Sequence, residues 1–160
     1  MHIAPISICI IAIGIIFCGT EINAKVLPIC TAVQELKRGG ISNTFISNWV
    51  CLMKHESGLD TSLVTGPGSS SSYSYGVFQI NSKKWCARGR KGGVCNARCE
   101  DFIDDDISDD IVCAKKIQET EGFKYWKGWM NKCKNKPLPD ISSCKRRRRS
   151  AIDDLLFEAV

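Results

Sequence analysis

The chain has 160 residues, with 22 Lys and Arg, 17 Asp and Glu, and 10 cysteines. This length has room for one compact domain and excludes a second domain of ordinary size. The net charge of +5 would attract the protein to anionic surfaces, but it is also ordinary for solubility and indicates no function alone.

Residues 1–24 have the pattern of a secretory signal peptide. An apolar run from Ile6 to Phe17 is too short to cross a bilayer, and a polar stretch ending at Ala24 follows it. We expect cleavage after Ala24 and secretion of a chain that begins at Lys25, with no membrane span left. A retained membrane anchor is the alternative, because no Lys or Arg precedes the apolar run.

Eight cysteines remain once this leader is removed, and an even number in a small secreted domain indicates four disulfides. Eight cysteines can pair in about a hundred ways, so the residues alone leave the pairing open. A zinc site is the alternative, but it is disfavoured because paired Cys-x-x-Cys spacing is missing. The eight are Cys30, Cys51, Cys86, Cys95, Cys99, Cys113, Cys133 and Cys144.

Two helices are predicted at the start of the mature chain. A capping-box spacing from Thr31 to Gln34 indicates a short helix that ends at Gly39-Gly40. The second helix runs from about Ser42 to Gly58, since apolar residues recur every three or four positions. Glu56 lies in its last turn, where the helix dipole disfavours a carboxylate by about 0.3–1 kcal/mol. A Glu without a role is not expected there, although a surface Glu is the alternative.

A small antiparallel sheet is predicted in the middle of the chain. Residues 66–72 are rich in turn formers, and residues 73–77 alternate in the manner of a strand. Residues 86–99 lack periodicity and predict a loop held by cysteines. Two further helices are predicted, one from about Asp109 and a short one from Phe123 to Cys133. Helices before and after a small sheet indicate an α+β domain.

Five short motifs stand out within this pattern. They are Trp49-Val-Cys51 with Glu56, Tyr75-Gly76 followed by Phe78 to Ser82, Trp85-Cys86, Cys113 to Ile117, and Trp126 with Trp129. Together with the order of the eight cysteines, these motifs resemble the c-type lysozymes and α-lactalbumins. The resemblance covers residues 25–144, and the end of this range is most like insect members.

The resemblance implies a lysozyme-like α+β fold with a helical lobe and a lobe formed by a small antiparallel sheet. It also implies the disulfides Cys30–Cys144, Cys51–Cys133, Cys86–Cys99 and Cys95–Cys113. In this family the substrate is a β-1,4-linked glycan, usually bacterial peptidoglycan, bound in a cleft between the lobes.

The two catalytic positions of the family are occupied differently in this chain. Glu56 matches the general acid, and Trp126 matches the aromatic side chain that dries its pocket and raises its pKa. Ser74 stands where the second carboxylate is expected. Its hydroxyl is neutral, and an ether to the sugar would leave less readily than an acyl ester, so the retaining route is in doubt.

Three functional hypotheses remain. The first is weakened hydrolysis: water enters beside Ser74 and attacks the opposite face of the sugar, while Glu56 protonates the leaving oxygen. General acid catalysis alone is worth about a hundredfold to ten-thousandfold. The second is a glycan-binding protein that does not hydrolyse. The third, a partner that modulates another enzyme as α-lactalbumin does, is disfavoured because nothing would keep Glu56 and Trp85 together.

The resemblance also implies a set of sugar contacts, in which aromatic faces stack against sugar rings. Lys84 stands where the family often has a further aromatic residue. The alternative role for Trp85 is core packing beside a disulfide. The implied contacts are Gln79, Asn81, Trp85 and Trp126.

Residues 100–110 contain seven acidic side chains. Two carboxylates about 4 Å apart repel by roughly 1 kcal/mol in water, so such a cluster requires full solvation or a cation. The spacing resembles the calcium loop of α-lactalbumins and calcium-binding lysozymes, whereas solvated surface acids are the alternative. It implies a structural Ca²⁺ with side-chain ligands Asp104, Asp109 and Asp110 and backbone oxygens of Asp101 and Asp106.

Residues 145–160 extend beyond the usual end of the family. The basic run Lys145 to Arg149 has the character of a processing site, and the short segment after it rarely holds a helix alone. We expect this tail to be disordered or removed. Nucleic-acid binding is not expected of a secreted domain. We expect a monomer whose partner is peptidoglycan or a related glycan.

Overall fold

The computed structural model describes residues 26–144. The predicted signal peptide, residues 1–24, and the predicted tail, residues 145–160, lie outside the described residues. The α-helices are α1 Ile29–Arg38, α2 Ile46–Glu56, α3 Ser108–Glu121 and α4 Lys127–Lys132. The strands are β1 Val64–Thr65, β2 Ser74–Tyr75 and β3 Ile80–Asn81. Short 3-10 helices span Ser69–Ser71, Cys99–Ile103 and Phe123–Tyr125.

The three strands form one antiparallel sheet in the order β1-β2-β3. Thr65 pairs with Ser74, and Ser74 pairs in turn with Asn81, so Ser74 lies on the central strand. The helices pack beside this sheet as a second lobe. The α+β architecture predicted from the sequence is confirmed. Within residues 26–144, no helix is long and apolar enough to span a bilayer.

An aromatic cluster around Trp49 joins the two lobes. Trp49 lies on α2 and meets Phe78, in the turn between β2 and β3, with ring centroids 5.8 Å apart. It also meets Phe123 at 5.0 Å and Trp126 at 5.9 Å. Such pairs each contribute about 0.5–1.5 kcal/mol beyond the burial of their surface. The cluster therefore fixes the sheet lobe and the start of α4 against α2.

Four disulfides cross-link the described residues, and they are the pairs that the resemblance implied. They are Cys30–Cys144, Cys51–Cys133, Cys86–Cys99 and Cys95–Cys113. Each closes a loop that would otherwise be free in the unfolded chain. Because these sulfurs are bonded to one another, none is left as a thiolate for zinc. His55 lies close to Cys51 and Cys133, but those two sulfurs are bonded to each other, so this group does not offer zinc a thiolate either.

The first two helices begin at different residues from those predicted. The capping-box prediction is wrong: α1 begins at Ile29, Thr31 lies in its first turn, and the residue before the helix is Pro28 without a side-chain cap. Pro28 has a φ of −59°, which suits a helix start, but its ψ of 140° is extended, so the helix begins at the next residue. α2 begins at Ile46, whereas the sequence predicts a start near Ser42 or Asn43. The preceding Phe45 is 51% exposed, so its apolar side chain belongs to no buried helical face.

The strand and the last helix are shorter than predicted. The alternating segment stops after Tyr75 because Gly76 has a left-handed φ of +68°, which turns the chain. The predicted helix from Phe123 to Cys133 divides at Trp126, whose backbone is extended with φ −89° and ψ 115°. α3 begins at Ser108, one residue before the predicted start.

We expect Gly76→Ala to destabilise the protein more than Gly58→Ala, although both glycines have a φ of +68°. This φ alone costs an L-residue about 1–2 kcal/mol. A Cβ on Gly76 would also lie 1.8 Å from the Phe102 carbonyl oxygen, whereas nothing lies within 4 Å of a Cβ on Gly58. The displacement should cost about 1–3 kcal/mol more, measured as the free energy of unfolding in urea. Equal losses in the two variants would contradict this close approach.

Candidate active site

Glu56 is the last residue of α2, and its carboxyl group is partly buried against the first turn of α4. Its Oε1 accepts a hydrogen bond of 2.6 Å from the Gly128 N–H. Burial raises the pKa of Glu56, and the backbone N–H groups of Gly128 and Trp129 offset part of that rise. A carboxyl group with a raised pKa keeps its proton closer to neutral pH, as a general acid must.

Trp126 holds the start of α4 next to α2 and the sheet lobe. It directly precedes α4 and is 2% exposed. Its indole N–H donates to the Phe78 carbonyl oxygen at 2.8 Å, and its ring packs against Trp49. These contacts hold the start of α4, and therefore the Gly128 N–H, beside Glu56. The burial leaves almost no surface for the sugar contact that the sequence predicts at Trp126.

Ser74 lies on β2 with its hydroxyl engaged by a neutral partner. The Asn81 side-chain N–H donates to Ser74 Oγ at 3.1 Å and approaches Ser72 Oγ at 3.4 Å. Asp60, the nearest other acid to Glu56 in the sequence, accepts hydrogen bonds from the Ser62 N–H and hydroxyl, each at 2.8 Å. That carboxylate stabilises a local turn. Ser74 and Asn81 thus form a hydrogen-bonded pair without charge.

Gln79 is buried in the sheet lobe, with its amide group hydrogen-bonded. It is 7% exposed, and its side-chain N–H groups donate to the Leu63 and Gly76 carbonyl oxygens at 3.0 and 2.9 Å. Its Oε1 accepts from the Thr65 hydroxyl at 2.6 Å. Both ends of the amide are therefore used within the sheet lobe. Gln79 stabilises the sheet and offers no free polar group to a sugar.

Trp85 is also buried, with no exposed surface. The Lys84 ammonium lies 4.6 Å from the centroid of its ring, within cation–π range. The Trp85 indole Nε1 meets no acceptor at hydrogen-bonding geometry. The observed burial agrees with the core-packing alternative for Trp85. Of the four predicted contacts, Asn81 alone is partly exposed, and its Oδ1 accepts the Lys83 N–H at 2.9 Å.

Tyr125 is a residue of this region that the sequence reasoning missed. Its ring meets Trp85 edge-on at a centroid distance of 5.8 Å and meets Trp126 edge-on at 5.2 Å. Burial raises the pKa of Tyr125, and its hydroxyl lies close to the Trp85 indole and the Asn81 backbone N–H. The available signal was an unbroken Tyr-Trp pair directly before the last helix.

The acidic loop surrounds the start of α3. Asp110 is 2% exposed, and its Oδ1 has no hydrogen-bond partner. Burial, followed by the charges of Asp109 and Asp104, raises its pKa well above the usual range. Burial also raises the pKa of Asp109, whose Oδ1 accepts the Asp110 N–H at 3.1 Å. A buried oxygen without a partner, on a carboxylate that the charges of Asp109 and Asp104 affect, fits a hard cation such as Ca²⁺.

The other predicted calcium ligands have engaged side chains. Asp101 forms an ion pair with Arg98 at 2.7 Å, which lowers the pKa of Asp101. Asp106 Oδ1 accepts the Ser108 N–H at 3.0 Å, and Asp104 Oδ1 accepts the Asp106 N–H at 2.9 Å. The side chains of Asp101 and Asp106 thus have other partners, which agrees with a contribution through their backbone oxygens. The described residues fit the implied ion.

The acidic loop approaches the sheet lobe at Gly76, directly after β2. A Cβ on Gly76 would lie 2.8 Å from Asp110 Oδ1, and Gly76 is two residues from Ser74 on the chain. The acidic loop therefore packs against the turn that directly follows the strand of Ser74.

The model of the C-type lysozyme/alpha-lactalbumin family matches residues 25–144. The chain belongs to this family. Lysozyme c-1 of Anopheles gambiae is 40% identical over 134 residues, which cover 84% of this chain and 95% of that protein. The crystal structure of lysozyme from Equus asinus has a TM-score of 0.66 at 36% identity, covering 75% of this chain and 98% of that chain.

A second solved structure is relevant to the acidic loop. It is a calcium-binding lysozyme from equine milk, with a TM-score of 0.62 and 35% identity, covering 71% of this chain and 92% of that chain. With the four disulfides and the small three-stranded sheet, these similarities establish the lysozyme fold for this protein.

We expect Glu56→Gln to stabilise the protein at pH 7 and to have little effect at pH 3. The folded pKa of Glu56 is raised above its ordinary value of 4.5, so the folded state binds the proton more tightly. Stability contributed by Glu56 is therefore present below that value and is lost as pH rises through the folded pKa. Thermal unfolding at both pH values measures the effect.

The control is Glu119→Gln, which removes one exposed carboxylate from α3. A Glu56→Gln variant that is less stable than the wild type at pH 7, or that gains as much at pH 3, would contradict the raised pKa.

Proposed function

We propose that this protein is a secreted lysozyme-like protein that acts on the β-1,4-linked glycans of bacterial peptidoglycan. One observation carries the proposal: Glu56 is a partly buried carboxyl group with a raised pKa, held by the Gly128 N–H. Family membership and relatives named as lysozymes support a glycan as the ligand. We propose the activity of a lysozyme-type glycoside hydrolase that lacks one of the two usual carboxylates.

In this proposal Glu56 gives its proton to the glycosidic oxygen as the bond to the anomeric carbon breaks. Ser74 offers a neutral hydroxyl that already receives the Asn81 amide. It therefore does not stabilise the positive charge that develops on the sugar. Water attacking from the opposite face forms the new bond to the anomeric carbon with inversion and releases its proton to the solvent, after which Glu56 takes up a proton again. General acid catalysis alone supplies about 10²- to 10⁴-fold, so hydrolysis is slow relative to an enzyme with both carboxylates.

Glycan binding without hydrolysis is the second candidate function. Its support is the neutral hydrogen-bonded pair of Ser74 and Asn81, which replaces a charged group on β2. A cleft with only one ionisable catalytic group keeps shape and hydrogen-bonding groups for a sugar but loses charge stabilisation in the transition state. The two candidates share a ligand and differ in whether product forms.

We further propose that the acidic loop binds a structural Ca²⁺. The supporting observation is the buried, unpartnered Oδ1 of Asp110 among neighbouring carboxylates. The relative from equine milk, described as calcium-binding, supports the same choice of metal. A bound Ca²⁺ supplies the positive charge that these carboxylates lack. The ligands we propose are the side chains of Asp104, Asp109 and Asp110 and the backbone oxygens of Asp101 and Asp106.

The proposed organisation of the chain follows the sequence. Residues 1–24 are a signal peptide, residues 25–144 are the lysozyme-like domain, and residues 145–160 are a tail that is disordered or processed. Four disulfides support an oxidising, extracellular location. We propose that the domain works as a monomer.

Wild-type protein should lyse bacterial cell walls slowly, and Glu56→Gln should reduce lysis at least about a hundredfold because it removes the acidic proton. Ser74→Asp should increase lysis by restoring a carboxylate at the second position. Turbidity of a cell-wall suspension measures both effects, with sedimentation on insoluble peptidoglycan as a parallel binding assay. Lysis that survives Glu56→Gln would reject this mechanism. Binding without lysis would favour the second candidate, and neither would reject both.

Calcium should raise the melting temperature of the wild type, and a chelator should reverse the rise. At a hundred times its dissociation constant, a ligand of the folded state adds about 2.7 kcal/mol. Asp110→Asn should remove most of this response, because it changes the buried ligand. Asp105→Asn is the matched control from the same loop and should keep the response. Identical melting curves with calcium and with chelator would reject the site.

A further inference from the structure

The space beside Trp85 is filled by a side chain of the protein itself. The Tyr125 ring stands edge-on to Trp85 at 5.8 Å with an interplanar angle of 88°, and edge-on to Trp126 at 5.2 Å. Its hydroxyl lies against the Asn81 backbone N–H and the Trp85 indole. Tyr125 thus contacts three of the four residues that the sequence predicts as sugar contacts.

Lys84 also lies against the Trp85 ring. Its ammonium lies 4.6 Å from the ring centroid and forms an ion pair with Glu121. Lys84 follows β3 in the sheet lobe, whereas Glu121 ends α3 in the helical lobe. The pair therefore joins the two lobes above Trp85. With both Tyr125 and Lys84 against it, Trp85 has no exposed surface.

We propose that Tyr125 is the residue that limits glycan binding in this cleft, and that the Lys84–Glu121 ion pair reinforces the closure. This inference rests on the proposed function, because it concerns the same glycan site. A sugar ring stacks on an aromatic side chain only when one face of that side chain is accessible. At Trp85 that face is covered, so the cleft excludes the sugar unit that would stack there.

The two parts of this closure differ in strength. The Lys84 and Glu121 side chains are 47% and 36% exposed, so water and salt weaken their attraction. The Tyr125 ring contacts the indoles of Trp85 and Trp126, and its hydroxyl lies beside the Asn81 backbone N–H, so the side chain moves only if these contacts are lost. Tyr125 is the dominant barrier, and the ion pair is a secondary one.

The test measures binding of the trimer of β-1,4-linked N-acetylglucosamine to full-length secreted protein, followed by the indole N–H signal of Trp85 in ¹⁵N spectra. Tyr125→Ala should tighten binding about tenfold and should make the Trp85 signal respond to the sugar. Tyr125→Phe keeps the ring and should bind like the wild type. Glu121→Gln should tighten binding about twofold to fivefold, as expected for an exposed ion pair.

The matched control for the ion pair is Glu35→Gln, which breaks the exposed pair between Glu35 and Arg38 on α1 and should leave binding unchanged. If Tyr125→Ala does not fold, as judged by the loss of its native ¹⁵N spectrum, Tyr125→Leu replaces it. The same tightening of sugar binding and the same response of the Trp85 signal are then expected. If the variant without the Tyr125 ring binds the sugar with the same affinity as the wild type, this inference is overturned and the proposed function stands. Absence of binding in every variant, with no Glu56-dependent lysis, would overturn both.

Discussion

The attachment of α4 to the end of α2 is the constraint on which both sides of the cleft depend. Trp126 makes this attachment, because its ring packs on α2 and its N–H bonds to the sheet lobe. Two residues later, Gly128 presents its N–H to Glu56. Tyr125 directly precedes Trp126, so the same contacts place its ring against Trp85. A single packing arrangement therefore positions both the Glu56 carboxyl group and the Tyr125 ring.

The sheet lobe contributes a neutral wall with a strongly acidic region behind it. Ser74 and Asn81 form a hydrogen bond without charge between β2 and β3. Immediately after this strand, Gly76 allows the acidic loop to approach, since a side chain there would meet the Phe102 carbonyl oxygen and the Asp110 carboxylate. The proposed calcium site thus lies against the turn that directly follows the strand of Ser74.

Predictions that depended on local pattern agreed with the structure better than predictions that depended on exposure. The sheet, the helices and the position of Glu56 at a helix end followed from periodicity and spacing. Gln79, Trp85 and Trp126 have side chains suited to a sugar, but packing buries all three. Residue type tells which groups a side chain carries, whereas its neighbours determine whether those groups reach solvent. Tyr125 was missed for the same reason.

By itself the sequence determined the α+β class, the existence of four disulfides, the clustered acids and the absence of a carboxylate at Ser74. These depend on residue identity, count and local periodicity, which are properties of the chain alone. The tertiary structure decided which groups are accessible and which are isolated: Trp85 is covered by Lys84 and Tyr125, and Asp110 is left with an unpartnered oxygen. Those outcomes arise from contacts between segments distant in the chain, and local pattern carries no information about such contacts.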